Sequence, residues 1–191
     1  MEKLIGEKVN IAVFVSGEGS NLKNLIKFSK KKKSNFSVKI VISNNFKSKG
    51  LLYAKKTKII TRVYNFINKK NYEKKLVSTL SKLDINLICL AGFMKILPSS
   101  FIKKFKGKII NIHPSLLPKY KGLNTHKRAL INKDKYTGCT VHYVNNKLDS
   151  GKIILQKKIR LLKKDNIESV RKKVLKIEHQ IYPKAIKKII I

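Results

Sequence analysis

Continuous apolar runs and helically spaced apolar residues alternate along most of this chain. Ile11–Val15 is an apolar run closed by the turn Ser16-Gly17-Glu18-Gly19, after which Leu22, Leu25 and Ile26 recur at helical spacing. Val38–Ile42 reads as a second strand, Leu51–Lys56 as a short helix and Ile59–Tyr64 as a third strand. A helix follows from about Tyr72 to Leu83, and the largely apolar run Ile85–Leu90 predicts a strand buried on both faces. Strands separated by helices imply parallel pairing through right-handed crossovers. The expected fold class is therefore α/β: a doubly wound, mostly parallel open sheet of Rossmann-like type, with residues 1–191 forming a single domain.

Beyond Pro98 the pattern changes. Lys108–Asn111 reads as a short strand, and His113–Asn124 carries Pro114, Pro118 and Gly122, which suit an irregular connection. Thr140–Val144 and Ile153–Ile159 read as further strands joined across Asp149-Ser150-Gly151. A last helix is predicted from about Ile167 to Lys188, with Val170, Val174, Ile177 and Ile181 on one face.

Composition adds one unusual property. Forty-five Lys and Arg stand against ten Asp and Glu, for a formal net charge of +35. Such a charge suggests a nucleic-acid or membrane partner. Two features point instead to compositional drift. Four cations alone are arginines (Arg62, Arg128, Arg160 and Arg171), although base reading favours the guanidinium fork. The lysines are also dispersed over nearly the whole chain. Selected binding to a polyanion remains the alternative, and on either reading the field draws phosphorylated substrates toward the protein.

The remaining classes narrow quickly. Cys89 and Cys139 lie in apolar runs far apart and read as buried free thiols of a reducing compartment; without a CxxC pair no metal site is expected. Met1–Asn10 contains two glutamates and no long apolar core, so it is not read as a signal peptide, and no apolar run approaches a membrane span. A cytoplasmic protein with no membrane partner is expected.

Three segments carry candidate chemistry. Ser16–Asn21 lies between a strand and a helix, where glycines permit close approach and a helix start offers unpaired N–H groups to a phosphate. An ordinary capped glycine turn is the alternative there. Asn111 and His113, two apart in an extended stretch, point the same way, and an amide beside an imidazole suits an oxyanion formed in acyl transfer. A turn with a satisfied histidine is the competing reading. Asp149 precedes Ser-Gly as turn formers do, yet paired with His113 it would orient the ring and hold it charged.

Taken together, Gly17-Glu18-Gly19-Ser20-Asn21-Leu22, Leu90-Ala91-Gly92-Phe93-Met94-Lys95-Ile96-Leu97 and Asn111-Ile112-His113-Pro114-Ser115-Leu116-Leu117-Pro118 resemble the folate-dependent formyltransferases. Gly122-Leu123-Asn124-Thr125-His126, Thr140–Val144, Leu148–Gly151 and Glu178–Pro183 extend the resemblance, which favours the branch acting on glycinamide ribonucleotide. It implies formyl transfer from the cosubstrate 10-formyltetrahydrofolate to the amine of 5-phosphoribosylglycinamide, without a metal, as a step of purine synthesis. In that pattern Asn111, His113 and Asp149 are catalytic, His113 being kept protonated by Asp149. Gly19, Ser20 and Asn21 bind the substrate phosphate, and Glu178 lies near the nucleotide. Met94, Lys95, Ile96, Leu97 and Val144, with Asn111, line the folate site, and Lys69 takes a place where relatives often carry an arginine. The Leu117–Pro118 bond is expected to be cis.

Glu18 and Ser150 depart from the pattern without removing a catalytic group. Methionyl-tRNA formyltransferases share the catalytic block but carry a C-terminal RNA-binding domain, and formyltetrahydrofolate hydrolases carry an N-terminal regulatory one. Nothing follows Ile191 and few residues precede the first strand, so neither is expected. A basic RNA-binding protein on this scaffold is the alternative from another class; small-molecule substrates, no specific nucleic acid, and a monomer or homodimer are expected.

Overall fold

The structure, a computed structural model, describes residues 8–66 and 69–190, with side chains of the second stretch from residue 72 onward. Of Met1–Asn10, the first seven residues lie outside the described residues. In chain order the elements are β1 (Val9–Val15), α1 (Ser20–Ser29), β2 (Phe36–Ser43), α2 (Lys49–Lys56), β3 (Ile60–Val63), α3 (Lys69–Lys82) and β4 (Leu87–Leu90). There follow α4 (Ser99–Lys104), β5 (Lys108–His113), α5 (Thr125–Ile131), β6 (Tyr136–Tyr143), β7 (Ile153–Arg160) and α6 (Ile167–Ile189).

One seven-stranded sheet runs β3-β2-β1-β4-β5-β6-β7. Its first five strands are parallel; β6 runs antiparallel to β5, and β7 to β6. The expected doubly wound α/β sheet is the one observed, with an antiparallel hairpin added at one edge. Period-two alternation explains why the sheet is buried on both sides. Ile11, Val13 and Val15 pack into one core with α1 and the apolar face of α6; Ala12 and Phe14 pack into the other with Leu76, Leu80 and Phe101. Helix α6 carries the predicted stripe of Val170, Val174, Ile177 and Ile181 and begins at a reciprocal cap between Asn166 and Ser169. Among the described residues no helix is long and apolar enough to cross a membrane.

Several boundaries differ from the sequence reading. Strand β5 continues to His113, so Asn111 and His113 both lie within it. Helices α4 and α5 were not anticipated: they are six and seven residues long, and the few buried positions they contribute leave no helical period to detect.

The strand order reverses between β1 and β4, which creates a crevice at their carboxyl ends. Two loops meet there. The Ser16 amide donates to the Gly92 carbonyl at 3.2 Å, and the Met94 amide to Ser16 Oγ at 2.8 Å. From the far side, buried Tyr182 of α6 donates its hydroxyl to the carbonyl of Leu90, the last residue of β4, at 2.8 Å. Tyr182→Phe deletes this buried hydrogen bond and is expected to lower stability by ~1 kcal/mol, measured as a urea-denaturation midpoint shift at unchanged slope.

Candidate active site

Strand register brings the polar groups together. Asn111 and His113, two apart on β5, share a face, and the antiparallel pairing sets His142 of β6 directly opposite Asn111. Residues opposite each other in such a pair project to the same side. Asp149 arrives from the β6–β7 connection. That turn is narrow: a Cβ on Gly151 would stand 1.7 Å from the Tyr143 carbonyl oxygen, so this position admits glycine alone. Asp149 itself has φ of 45°, a left-handed conformation that aspartate tolerates better than most residues.

Three groups of the sequence-based reading thus meet on one side of the sheet. Asp149 Oδ2 lies 3.4 Å from His113 Nδ1 and accepts the Gly122 amide at 2.8 Å. Asp149 Oδ1 lies 3.5 Å from Asn111 Nδ2 and 3.6 Å from His142 Nε2. Asn111 Nδ2 is also 3.3 Å from His142 Nε2. Both Asn111 contacts are long for hydrogen bonds, which leaves its amide able to serve a better acceptor. His142 was not singled out in the sequence; thirty-one positions from Asn111, it becomes visible only through the strand register.

Electrostatics separates the acid from the imidazole. Burial alone would raise the Asp149 pKa, but hydrogen bonds from His142 and the Gly122 amide, with the nearby imidazoles, bring it below the ordinary value. The group is a carboxylate near neutral pH. His113 is pulled in both directions. Burial pulls its pKa below the usual 6.5; the Tyr120 carbonyl and Asp149 oppose that, while His142 and Arg128 reinforce it. Desolvation thus works against the charge that the resemblance assigns to His113, while the two flanking acceptors work for it. Both ring nitrogens face acceptors, the Tyr120 carbonyl at 2.8 Å from Nε2 and the carboxylate beside Nδ1. The imidazolium, once formed, finds an acceptor for each of its protons.

The glycine turn adjoins this group across the crevice. Gly19, at φ 72°, is the N-cap of α1 and supplies no side-chain cap, so the first-turn amides of Ser20 and Asn21 keep their capacity for an anion. Glu18 points away, exposed and 3.0 Å from Lys49. Helix α6 braces the turn: Glu178 accepts from Asn21 Nδ2 at 2.7 Å, and the His179 carbonyl accepts from Asn24 Nδ2 at 2.7 Å. Burial raises the Glu178 pKa to about 7, against the lowering effect of the Asn21 hydrogen bond. Asn21 Oδ1 is buried and has no hydrogen-bond partner among the described residues. Glu178 falls on the same helical face as Val174 and Ile181, which accounts for its burial.

The remaining candidates distribute unevenly. Met94, Lys95 and Ile96 are exposed on the loop that follows β4, and Val144 is half-buried just past β6. Leu97 instead packs into the core beside Phe101. The Lys69 side chain lies outside the described residues. The Leu117–Pro118 bond is cis. No group of three or more His, Cys, Asp or Glu suited to a metal ion occurs among the described residues.

Comparison with known proteins agrees with this geometry. The formyl transferase family model matches residues 9–186. Phosphoribosylglycinamide formyltransferase of Haemophilus influenzae is 43% identical over 180 residues, covering 93% of this chain and 85% of that protein. The human trifunctional purine biosynthetic protein adenosine-3 is 40% identical over 183 residues; the match spans 94% of this chain but 18% of that much longer protein. The crystal structure of phosphoribosylglycinamide formyltransferase from Anaplasma phagocytophilum superimposes with a TM-score of 0.91 at 41% identity, covering 96% of this chain and 87% of that one.

The position of Glu178 generates a pH-dependent expectation. A folded-state pKa raised from 4.5 to about 7 means that ionising Glu178 costs stability: the cost is absent below the unfolded value and complete above the folded one. Glu178→Gln should match the parent protein near pH 4 and exceed it by ~2–3 kcal/mol above pH ~7, as read from denaturation midpoints across pH. A constant difference at all pH values would contradict the buried-acid account.

Proposed function

Starting from the fact that the chain belongs to the formyl transferase family, we propose that it transfers the formyl group of 10-formyltetrahydrofolate to the amine of 5-phosphoribosylglycinamide, a step of purine synthesis. One observation supports this most. The segments that resemble a formyl-transfer pattern also gather an amide and an imidazole around one carboxylate, across a crevice from an uncapped helix start.

In this reading the phosphate of the ribonucleotide sits on the amides of Gly19, Ser20 and Asn21, where the α1 dipole favours negative charge. Glu178 orients Asn21 from beneath and lies near the sugar. The apolar surfaces of Met94, Ile96 and Val144 suit a flat heterocycle, with Leu97 forming the floor behind them; Lys95 suits an anionic tail, and the resemblance alone assigns Lys69 to the folate. The loop after β4 lies next to the Asn111 end of β5 through the parallel pair Leu90–Asn111, which supports a cleft shared by heterocycle and reacting groups.

The amine nitrogen attacks the formyl carbon, forming a C–N bond and a tetrahedral oxyanion. Asn111 donates to that oxygen, and His113, acquiring its second proton, supplies positive charge beside it. Asp149 stabilises this imidazolium through Nδ1 and helps carry the proton lost by the amine to the folate nitrogen, whose bond to the formyl carbon then breaks. A low resting pKa suits His113 to this task, because the charge appears as the oxyanion does. The high positive charge of the chain adds long-range attraction for the phosphorylated substrate.

Mixing the purified protein with both substrates and following folate absorbance tests the reading directly; no change in absorbance defeats it. His113→Ala should lower kcat by about 10²–10³-fold with little change in ribonucleotide affinity. Replacing Ser20 and Asn21 with bulky residues should instead weaken ribonucleotide binding in calorimetry, and unchanged affinity would remove the phosphate assignment.

The charge makes a separate expectation. Unrelated RNAs should inhibit formyl transfer at low ionic strength and lose that effect steeply as salt is added, since their binding rests on counterion release. Tight, sequence-selective RNA binding near physiological salt would favour a selected nucleic-acid partner instead.

A further inference from the structure

His113 is held from two sides, and the second side is not explained by the trio. Its Nε2 donates to the main-chain carbonyl of Tyr120 at 2.8 Å. A carbonyl accepts and never donates, so Nε2 carries a proton in both the neutral and the charged ring. The proton that comes and goes is thereby confined to Nδ1, the nitrogen 3.4 Å from Asp149.

The Tyr120 carbonyl points this way because of an unfavourable backbone. Tyr120 has φ of 56°, in the left-handed region that side-chain-bearing residues rarely occupy. Such a conformation persists when its surroundings impose it. Here the surroundings are visible. The Tyr120 hydroxyl donates to Asp134 Oδ2 at 2.8 Å and accepts from Asn132 Nδ2 at 2.9 Å. The Arg128 guanidinium lies 5.0 Å from the ring centroid, and its Nη1 donates to the Lys121 carbonyl at 2.7 Å. Asp134 is in turn fixed by its own amide, which donates to the Ala129 carbonyl in α5.

We propose that Tyr120 is a positioning residue for His113: its phenol, gripped by Asp134 and Asn132 beyond the end of α5, holds the left-handed backbone that aims the Tyr120 carbonyl at Nε2 and so directs the exchangeable ring proton to Nδ1. Neither Asp134 nor the phenol belongs to the trio; the effect is transmitted through one main-chain hydrogen bond. The kinetic consequence rests on the formyl-transfer reading, whereas the consequence for the ring does not.

The experiment uses the full chain with Tyr120→Phe, which keeps the ring and its stacking, and Asp134→Asn, which keeps the shape. Histidine titrations followed by ¹⁵N and ¹³C resonance, with His113→Gln to assign the signal, report the ring directly. In the parent protein neutral His113 should be the Nε2–H tautomer. Because the Tyr120 carbonyl raises the His113 pKa, loosening it should move the titration midpoint of both variants further down and admit the other tautomer. Turnover number should fall about tenfold, with KM for both substrates within about twofold of the parent. An unchanged midpoint and tautomer in both variants overturns the proposal, even if activity drops through reduced stability. A rise in KM with kcat unchanged also overturns it. A parent protein inactive toward both substrates defeats the functional reading alone, because the titration still decides the role of Tyr120.

Discussion

A carboxylate removed from water must be surrounded by donors or lose its charge, and Asp149 is the group about which this site is arranged. Its side chain is 8% exposed, yet an amide from Gly122, the imidazoles of His113 and His142, and the Asn111 amide all lie around its two oxygens. These four groups come from three parts of the fold. Two stand on β5 and one on β6, where the register decides that they face the same side. The fourth comes from the long connection after β5, which must loop back to present a main-chain N–H. The hairpin itself is bound by the same demand, since the turn carrying Asp149 closes only if Gly151 lies flat against the Tyr143 carbonyl.

The two histidines follow from this arrangement in different ways. His113 lies between the carboxylate and a carbonyl, so its charge is costly to create and well received once present. His142 gives its Nδ1 proton to the Tyr143 carbonyl at 2.8 Å and leaves Nε2 between Asn111 and Asp149. Its contribution is to lower the Asp149 pKa. The charge balance of the site therefore depends on a residue outside the Asn111–His113 step and the Asp149 turn.

Much of this was legible in the chain, and the exceptions have physical reasons. Apolar runs marked β1, β2 and β4 because strands buried on both faces need no polar alternation. The two-residue step from Asn111 to His113 announced a shared direction, even though the strand was expected to stop at Asn111. Helices α4 and α5 escaped notice because a turn or two of helix with one or two buried residues, such as Phe101 or Ala129, has no period to read. His142 needed a register that one strand alone does not specify. Tyr120 was less accessible still: the atom that matters is a carbonyl oxygen, which every residue has, and its orientation depends on a side-chain anchor at Asp134. Glu178 was recognised by resemblance, while its raised pKa belongs to the packing of α6 against α1.

That packing also has a consequence for how the protein is made. The hydrogen bond between Asn21 and Glu178 joins residues 157 positions apart, and Asn24 meets His179 across 155. Contacts so distant along the chain form late and slow the search for the native state, because the entropy of closing the intervening loop precedes any gain. During synthesis the turn Gly19–Asn21 precedes all six strands from β2 onward but acquires its bracing only when α6 emerges. Within this fold the strands are therefore made before the turn has its bracing.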